Sequence, residues 1–304
     1  MRSRLSRGRY DIAGRTVFIT GAARGIGAAS ARRLHAAGAN VALVGLEPEL
    51  LEQLAASLGD RCAAFEADVT SYEALQRAVR GTVARFGAID VAIANAGISF
   101  IGRLATAPME HVERALEVNL MGVWRTNRAV IEQIVARRGY LLNIASLSAI
   151  SHTPLMGPYT ASKAGVEALT DCLRVETAPS GARVGCAYFG FIDTDLVRAS
   201  YAHPSTQAMM ATLPKFVSTP APLSQAVDAI ERGIRRRSAR VWAPRYVGGA
   251  LLVRGALQPL TELKLRFGSD LSRALELADP AAGGVEEQHA ELGVSGAPRE
   301  RVRS

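Results

Sequence analysis

The chain has little cysteine: three residues in 304, Cys62, Cys172 and Cys186, far apart and without paired spacing. That excludes a disulfide framework and a thiolate zinc site, and it fits a reducing compartment. The five histidines show no ligand spacing, so no metal is expected. Aromatic residues are scarce at 6%, and no run of five or more basic residues occurs. The densest basic cluster, Arg235, Arg236, Arg237 and Arg240, has no interleaved stacking residue before Trp242. The net charge of +8, from 36 basic and 28 acidic side chains, therefore reads as a solvated basic face and not as a nucleic-acid site. Long apolar runs are missing as well. The stretch 246–253 is ended by Arg254, far short of a membrane span. The arginine-rich residues 1–10 lead into no apolar signal core. A cytoplasmic protein is the expectation.

What is present is enough apolar material for a sizeable core, 48% hydrophobic against 21% charged residues. Short aliphatic runs at 16–20, 41–44, 62–65, 91–94, 140–144 and 184–188 read as buried strands, each bounded by Gly, Asp or Asn. Amphipathic stretches at 26–37, 48–58, 72–86, 109–137 and 159–177 read as the helices between them. Pro108 suits a first helical turn, with Thr106 as its cap. Such alternation predicts an α/β chain with a Rossmann-type doubly wound parallel sheet, three layers deep (α/β/α), in a single domain. Residues 1–10 are expected to be flexible and 11–245 to form the catalytic domain. Past Asp195 the periodicity weakens through 196–220, where Pro204, Pro214 and Pro220 interrupt apolar residues. A helix at 223–236 and a last strand at 240–243 follow. The span 246–278 reads as an apolar helical extension, suited to packing on its own domain, an interface or a membrane surface. Residues 279–304 read as a disordered tail.

The first strand runs directly into Gly21-Ala22-Ala23-Arg24-Gly25-Ile26-Gly27 and then a helix. Glycines let backbone N–H groups approach a pyrophosphate closely, and a helix N-terminus adds partial positive charge. In this position the turn predicts a dinucleotide phosphate site. An acid at the end of the second strand would hold the 2′-hydroxyl of NAD, but Gly45 stands there. With no carboxylate at that point, and with Arg24 able to pair with a 2′-phosphate, NADP is favoured over NAD. Leu46 and the nearby Glu47 argue the other way.

Tyr159 and Lys163 share one helix face at i,i+4 spacing. A tyrosine with its pKa near ~10 is a poor base, and a neighbouring ammonium can draw that value down. Ser146 follows the fifth strand, and Asn95-Ala96-Gly97 follows the fourth, both at the carboxyl edge where open sheets place ligands. Asn119 sits inside a long helix at a propensity cost, which implies a polar role in the interior.

With these residues in order, the chain resembles the short-chain dehydrogenase/reductase superfamily in its single-domain branch, from about residue 10 to about residue 243. The resemblance rests on the turn from Thr20 to Gly27, Asp68-Val69, Asn95-Ala96-Gly97, Asn119, Ser146 and Tyr159 with Lys163. It implies that Tyr159 exchanges the proton and that Ser146 binds the substrate oxygen. Lys163 would lower the tyrosine's pKa and hold the nicotinamide ribose, and Asn119 would support a water relay. It also implies adenine contacts from Asp68 and Val69 and packing of Asn95, Ala96 and Gly97 beside the cofactor. Ile192 and Thr194 would contact the carboxamide. A homodimer or homotetramer formed through the two long helices is expected. One departure stands out: Phe189-Gly190 replaces the family's Pro-Gly, either reshaping the nicotinamide floor or simply repacking.

The residues expected around the substrate are apolar: Ile98, Phe100, Leu155, Met156, Phe191, Met209 and Met210. They suit a lipophilic alcohol or ketone. His152 is the one histidine placed to face it, though a solvated loop histidine explains it as well. The alternative to an oxidoreductase is a catalytically idle cofactor-binding regulator on the same fold.

Overall fold

The computed structural model describes residues 9–266 and 269–278. Most of the expected flexible N-terminus and all of the expected tail lie outside the described residues.

Seven strands alternate with helices: β1 (Thr16–Thr20), α1 (Gly25–Ala36), β2 (Asn40–Gly45), α2 (Pro48–Leu58), β3 (Cys62–Glu66), α3 (Tyr72–Phe86) and β4 (Val91–Ala94). Next come α4 (Met109–Leu116), a π turn (Glu117–Met121), α5 (Gly122–Ala136), β5 (Tyr140–Ile144), α6 (Gly157–Thr177) and β6 (Arg183–Phe189). The chain goes on through α7 (Asp195–Ala202), α8 (Pro204–Ala211), α9 (Lys215–Ser218), α10 (Leu223–Arg236) and β7 (Arg240–Ala243). It then forms α11 (Arg245–Leu252), α12 (Arg254–Arg266) and α13 (Ser269–Leu277). All strand pairs are parallel, in the order β3-β2-β1-β4-β5-β6-β7. The order reverses direction between β1 and β4, which opens a crevice at their carboxyl ends.

Local chemistry sets several of these boundaries. Pro48 opens α2 at a position that needs no amide donor. Ser71 Oγ accepts from the Ala74 amide at 3.2 Å to cap α3, and Gly87 at φ +87° ends it. The central strands β1, β4 and β5 are fully buried, as their aliphatic runs require, while the edge strands β3 and β7 are partly exposed. Leu34, Leu51 and Ile230 cover one face, and Leu75, Val130 and Ile134 cover the other. Among the described residues no helix is long and apolar enough to cross a membrane.

Two expectations are corrected. Pro108 is itself the residue before α4, with an extended ψ of 134°, and the Thr106 amide donates to Arg103 in a preceding turn. Thr106 therefore does not cap this helix. The segment 196–220 is not irregular: its prolines punctuate three short helices, Pro204 opening α8 and Pro214 preceding α9. Residues beyond β7 fold back on this segment, where Ala274 and Ala278 pack with Met209, Met210, Leu155 and Ile101.

Candidate active site

The glycine turn after β1 is built by close approach. Gly21 has φ +62°, and a Cβ there would lie 2.8 Å from Ala96 Cα. A Cβ on Gly27 would meet the Gly21 carbonyl and lie 2.8 Å from Asn95 Nδ2. Asn95 braces the turn from the next strand. Its Nδ2 donates to the Thr20 and Gly21 carbonyls at 3.0 and 3.1 Å, while its amide donates to Thr20 Oγ1 at 3.0 Å. The Ala96 amide shares that hydroxyl at 3.3 Å. Thr194, from the loop after β6, comes over the turn: its Cγ2 lies 3.7 Å from the Cβ position of Gly25. Helix α1 then begins with no side-chain cap and no acid in its first turn, which leaves the amides around Ile26 open to an anion. A cradle that any Cβ would fill, ending on an uncapped helix N-terminus, fits a dinucleotide pyrophosphate.

The other predicted cofactor contacts fall at the same carboxyl edge. Asp68 Oδ1 accepts from the Thr70 amide at 2.8 Å, and Arg114 stands 3.7 Å from its Oδ2. Val69 and Ile192 turn their side chains into the core, 6% and 2% exposed. Only their backbones remain for an adenine or carboxamide. Arg24 is engaged elsewhere: it forms an ion pair with Glu47.

Across the crevice, β5 and α6 bring together the predicted reacting groups. Ser146 Oγ donates to the Phe189 carbonyl at 3.3 Å and accepts from the Ser148 amide at 3.1 Å. Lys163 Nζ donates to the Ile144 carbonyl at 2.9 Å and lies 5.6 Å from the Tyr159 ring centroid. Burial holds Lys163 down to about 8. Burial also raises the Tyr159 pKa, and a hydrogen bond with Ser146 offsets part of that rise. The resemblance implied that Lys163 lowers this pKa; the causes of the shift are burial and Ser146. The lysine is buried as well, which weakens its own charge, and it is tied to a backbone carbonyl.

Asn119 lies in the π turn, fully buried. Its Oδ1 accepts from the Ile98 amide at 2.8 Å and its Nδ2 donates to the Ile98 carbonyl at 2.9 Å. A Cβ on Gly97 would stand 3.0 Å from that Oδ1 and 3.6 Å from Lys163 Nζ. Asn119, Gly97 and Lys163 are thus neighbours.

Beside Ser146 and Tyr159 opens a cavity of about 420 Å³, lined by Leu155, Met156, Phe191, Met209 and Met210 among others. Ile98 and Phe100 do not line it: Ile98 is held by Asn119, and Phe100 is buried against His111 with ring centroids 5.9 Å apart. His152 is exposed and does not line it either. Phe189 packs in the core at 4% exposure and its side chain does not line the cavity. The extension contributes Tyr246, Ala250, Leu257 and Thr261 to the lining. It is pinned by Arg254, which holds both oxygens of buried Glu167 while Tyr188 donates to Oε1 at 2.7 Å. The sequence reading missed Glu167, although its i+4 spacing from Lys163 put it on the same buried helix face.

Residues 15–205 match the family model for short chain dehydrogenases, and the chain belongs to the short-chain dehydrogenase/reductase family. It is an oxidoreductase of CH–OH groups that works with a nicotinamide cofactor. Nodulation protein G of a Rhizobium species is 34% identical over 206 residues, covering 67% of this chain and 84% of the relative. The 2-(R)-hydroxypropyl-CoM dehydrogenase of Xanthobacter autotrophicus is 34% identical, covering 70% and 89%. The 3beta-hydroxysteroid dehydrogenase 1 of Eggerthella lenta is 33% identical, covering 65% and 78%. Among solved structures, a short-chain dehydrogenase/reductase from Burkholderia phymatum in complex with NAD shares the fold, with a TM-score of 0.72, 21% identity and coverage of 81% and 95%.

Proposed function

We propose that this protein interconverts a lipophilic secondary alcohol and its ketone, with Tyr159 as the proton carrier. The observation that carries this reading is the apolar cavity of about 420 Å³ with Ser146 and Tyr159 on its wall. The nicotinamide, when bound, supplies or accepts the hydride. Gly21, Gly25, Ile26 and Gly27 would hold its pyrophosphate. Asp68, Val69, Asn95, Ala96, Gly97, Ile192 and Thr194 would line its remaining length, and Lys163 would take the ribose. Ser146, fixed by the Phe189 carbonyl and the Ser148 amide, orients the substrate oxygen. Tyr159 gives that oxygen its proton in reduction and takes it back in oxidation. Burial raises the Tyr159 pKa and so favours the protonated phenol. A water relay at Asn119 would use its backbone carbonyl, since both ends of its amide are engaged.

The Arg24–Glu47 ion pair reverses the weighting read from the sequence and supports NAD over NADP. It neutralises the cation poised for a 2′-phosphate and leaves a carboxylate close to the ribose site. The span 246–278 serves in this reading as the cover of the substrate cavity.

The direct test is a screen of aryl and alicyclic ketones and alcohols with both cofactors, followed by the absorbance of the reduced nicotinamide. Turnover of apolar ketones is expected. Turnover confined to charged or sugar substrates overturns the reading.

A further inference from the structure

Tyrosines buried in this chain generally donate their hydroxyl hydrogen. Tyr140 donates to the Ser238 carbonyl at 2.8 Å, Tyr188 to Glu167 at 2.7 Å and Tyr201 to the Ser218 carbonyl at 2.6 Å. Two do not: Tyr10, whose ring lies between Arg15 and Arg237 and lines no part of the cavity, and Tyr246, the second residue of α11. The Tyr246 hydroxyl is buried, and no atom among the described residues accepts its hydrogen. Burial raises the phenol's pKa and the neighbouring Phe191 amide only partly opposes that rise; an amide N–H is itself a donor and cannot take the phenol's hydrogen. A phenol removed from water without an acceptor is unfavourable, so such a group in a native cavity calls for a ligand atom or a water that completes it.

Its position is set with care. The ring meets Phe216 edge-on, centroids 5.8 Å apart at 74°, and its head rests on Gly190. A Cβ at residue 190 would collide with the hydroxyl and lie 3.0 Å from Tyr246 Cζ. Gly190 does not occupy a left-handed conformation, so glycine is needed there for the room it leaves. Gly190 directly follows Phe189, whose carbonyl holds Ser146 Oγ. The phenol head is therefore placed one residue along the chain from the group that orients the reacting oxygen, and both side chains line the same cavity.

A second hydroxyl there is in the same condition. Thr206, 8% exposed in the first turn of α8, also lines the cavity and has no partner among the described residues. Threonines 82, 126, 170 and 177 each donate to the carbonyl four residues back. At Thr206 the residue four back, Ala202, ends α7, and the extended backbone of His203 breaks the turn that would bring its carbonyl into reach.

We propose that Tyr246 is a specificity-determining residue whose hydroxyl donates to a second oxygen of the substrate, Thr206 offering a further donor. The substrate class is then a lipophilic ketone or alcohol that carries an ether, carbonyl or hydroxyl oxygen besides the reacting one. This rests on the alcohol–ketone reading above and narrows it.

The test uses pairs of ketones that differ only by an oxygen in place of a methylene: 4-chromanone with 1-tetralone, and flavanone with 3-phenyl-1-tetralone. Binding to the full chain with saturating NAD is read from the ligand-induced rise in Tm, which needs no turnover, and kcat/KM for ketone reduction is measured separately with NADH as the hydride donor. The oxygenated member of each pair is expected to bind about tenfold more tightly, as one neutral hydrogen bond allows. Tyr246→Phe is expected to bring the two members together. A purely structural role for the phenol would weaken both members equally and leave their ratio unchanged; that result overturns the proposal, as does a wild-type ratio near one or no binding of any of the four. Selective binding without turnover supports the oxygen contact and counts instead against the alcohol–ketone reading.

Discussion

Arg254 reaches from the start of α12 to grip Glu167 on α6 with both ends of its guanidinium, Nη1 to Oε1 at 2.5 Å and Nη2 to Oε2 at 2.9 Å. Glu167 is buried and Arg254 is partly exposed. Removing the arginine strands a carboxylate whose remaining partner is the Tyr188 hydroxyl. Arg254→Met is expected to lower unfolding free energy by about 1–3 kcal/mol, the range for leaving a buried polar group short of a partner. It should also raise KM, because Leu257 and Thr261 on the same helix line the cavity. Urea melts and steady-state kinetics read the two effects; an unchanged melt would show that apolar packing alone holds the extension.

Tyr159→Phe keeps the ring and removes the proton. Turnover should fall by at least the ~10²-fold typical of losing a general acid–base, while cofactor affinity, measured by fluorescence titration, should persist. Near-normal turnover would take Tyr159 out of the mechanism.

Lys163 gives a pH signature in stability. Its pKa is about 8 in the native chain against 10.5 for the free side chain. Between those values the unfolded state binds more protons, so the contribution of this residue to stability rises with pH across that window and is constant below it. Lys163→Met removes the cost of burying the charge. The variant should be the more stable near neutrality, and wild type should close the gap from about pH 8 upward. A difference between the two that stays flat with pH contradicts this.

In the proposed reading, cofactor choice turns on Glu47. Isothermal titration should give a lower Kd for NAD than for NADP in the wild type. Glu47→Ala frees Arg24 to meet a 2′-phosphate and takes away a carboxylate that would repel it. The ratio should shift toward NADP by about tenfold, the effect of one charge-assisted hydrogen bond. Tighter NADP binding by the unmodified protein would restore the preference read from Gly45.

Pairing of subunits through α5 and α6 would bury Trp124 and Val175, which stand 46% and 74% exposed on those helices. Light scattering is expected to give a dimer or tetramer mass, and Trp124→Glu should shift it toward monomer. A monomer at working concentration in the wild type rules this out.

The strands were readable to within a residue or so because a sheet buried on both faces demands continuous aliphatic runs. The glycine turn, Ser146, Tyr159 and Lys163 were readable because their spacing is tied to that sheet. The short helices α7 to α9 were not, whereas α10 fell at the expected 223–236. Eight residues with a proline at one end, as in α8, carry too little periodicity to register against their neighbours. Glu167 was hidden for another reason. A glutamate in a helix ordinarily faces water, and its partner Arg254 lies 87 residues away, a distance that local pattern does not span. Ion pairs of this kind also account for Arg24, whose charge reads as available until Glu47 is seen beside it.

A single sheet edge divides the labour between the two halves of the chain. Everything proposed to touch the nicotinamide and its phosphates, except the loop bearing Ile192 and Thr194, is delivered by the first half and the start of α6. The walls of the cavity come mostly from α7 to α12. A lineage can therefore exchange its later helices for others, keep the same redox engine, and arrive at a new substrate without relearning the chemistry.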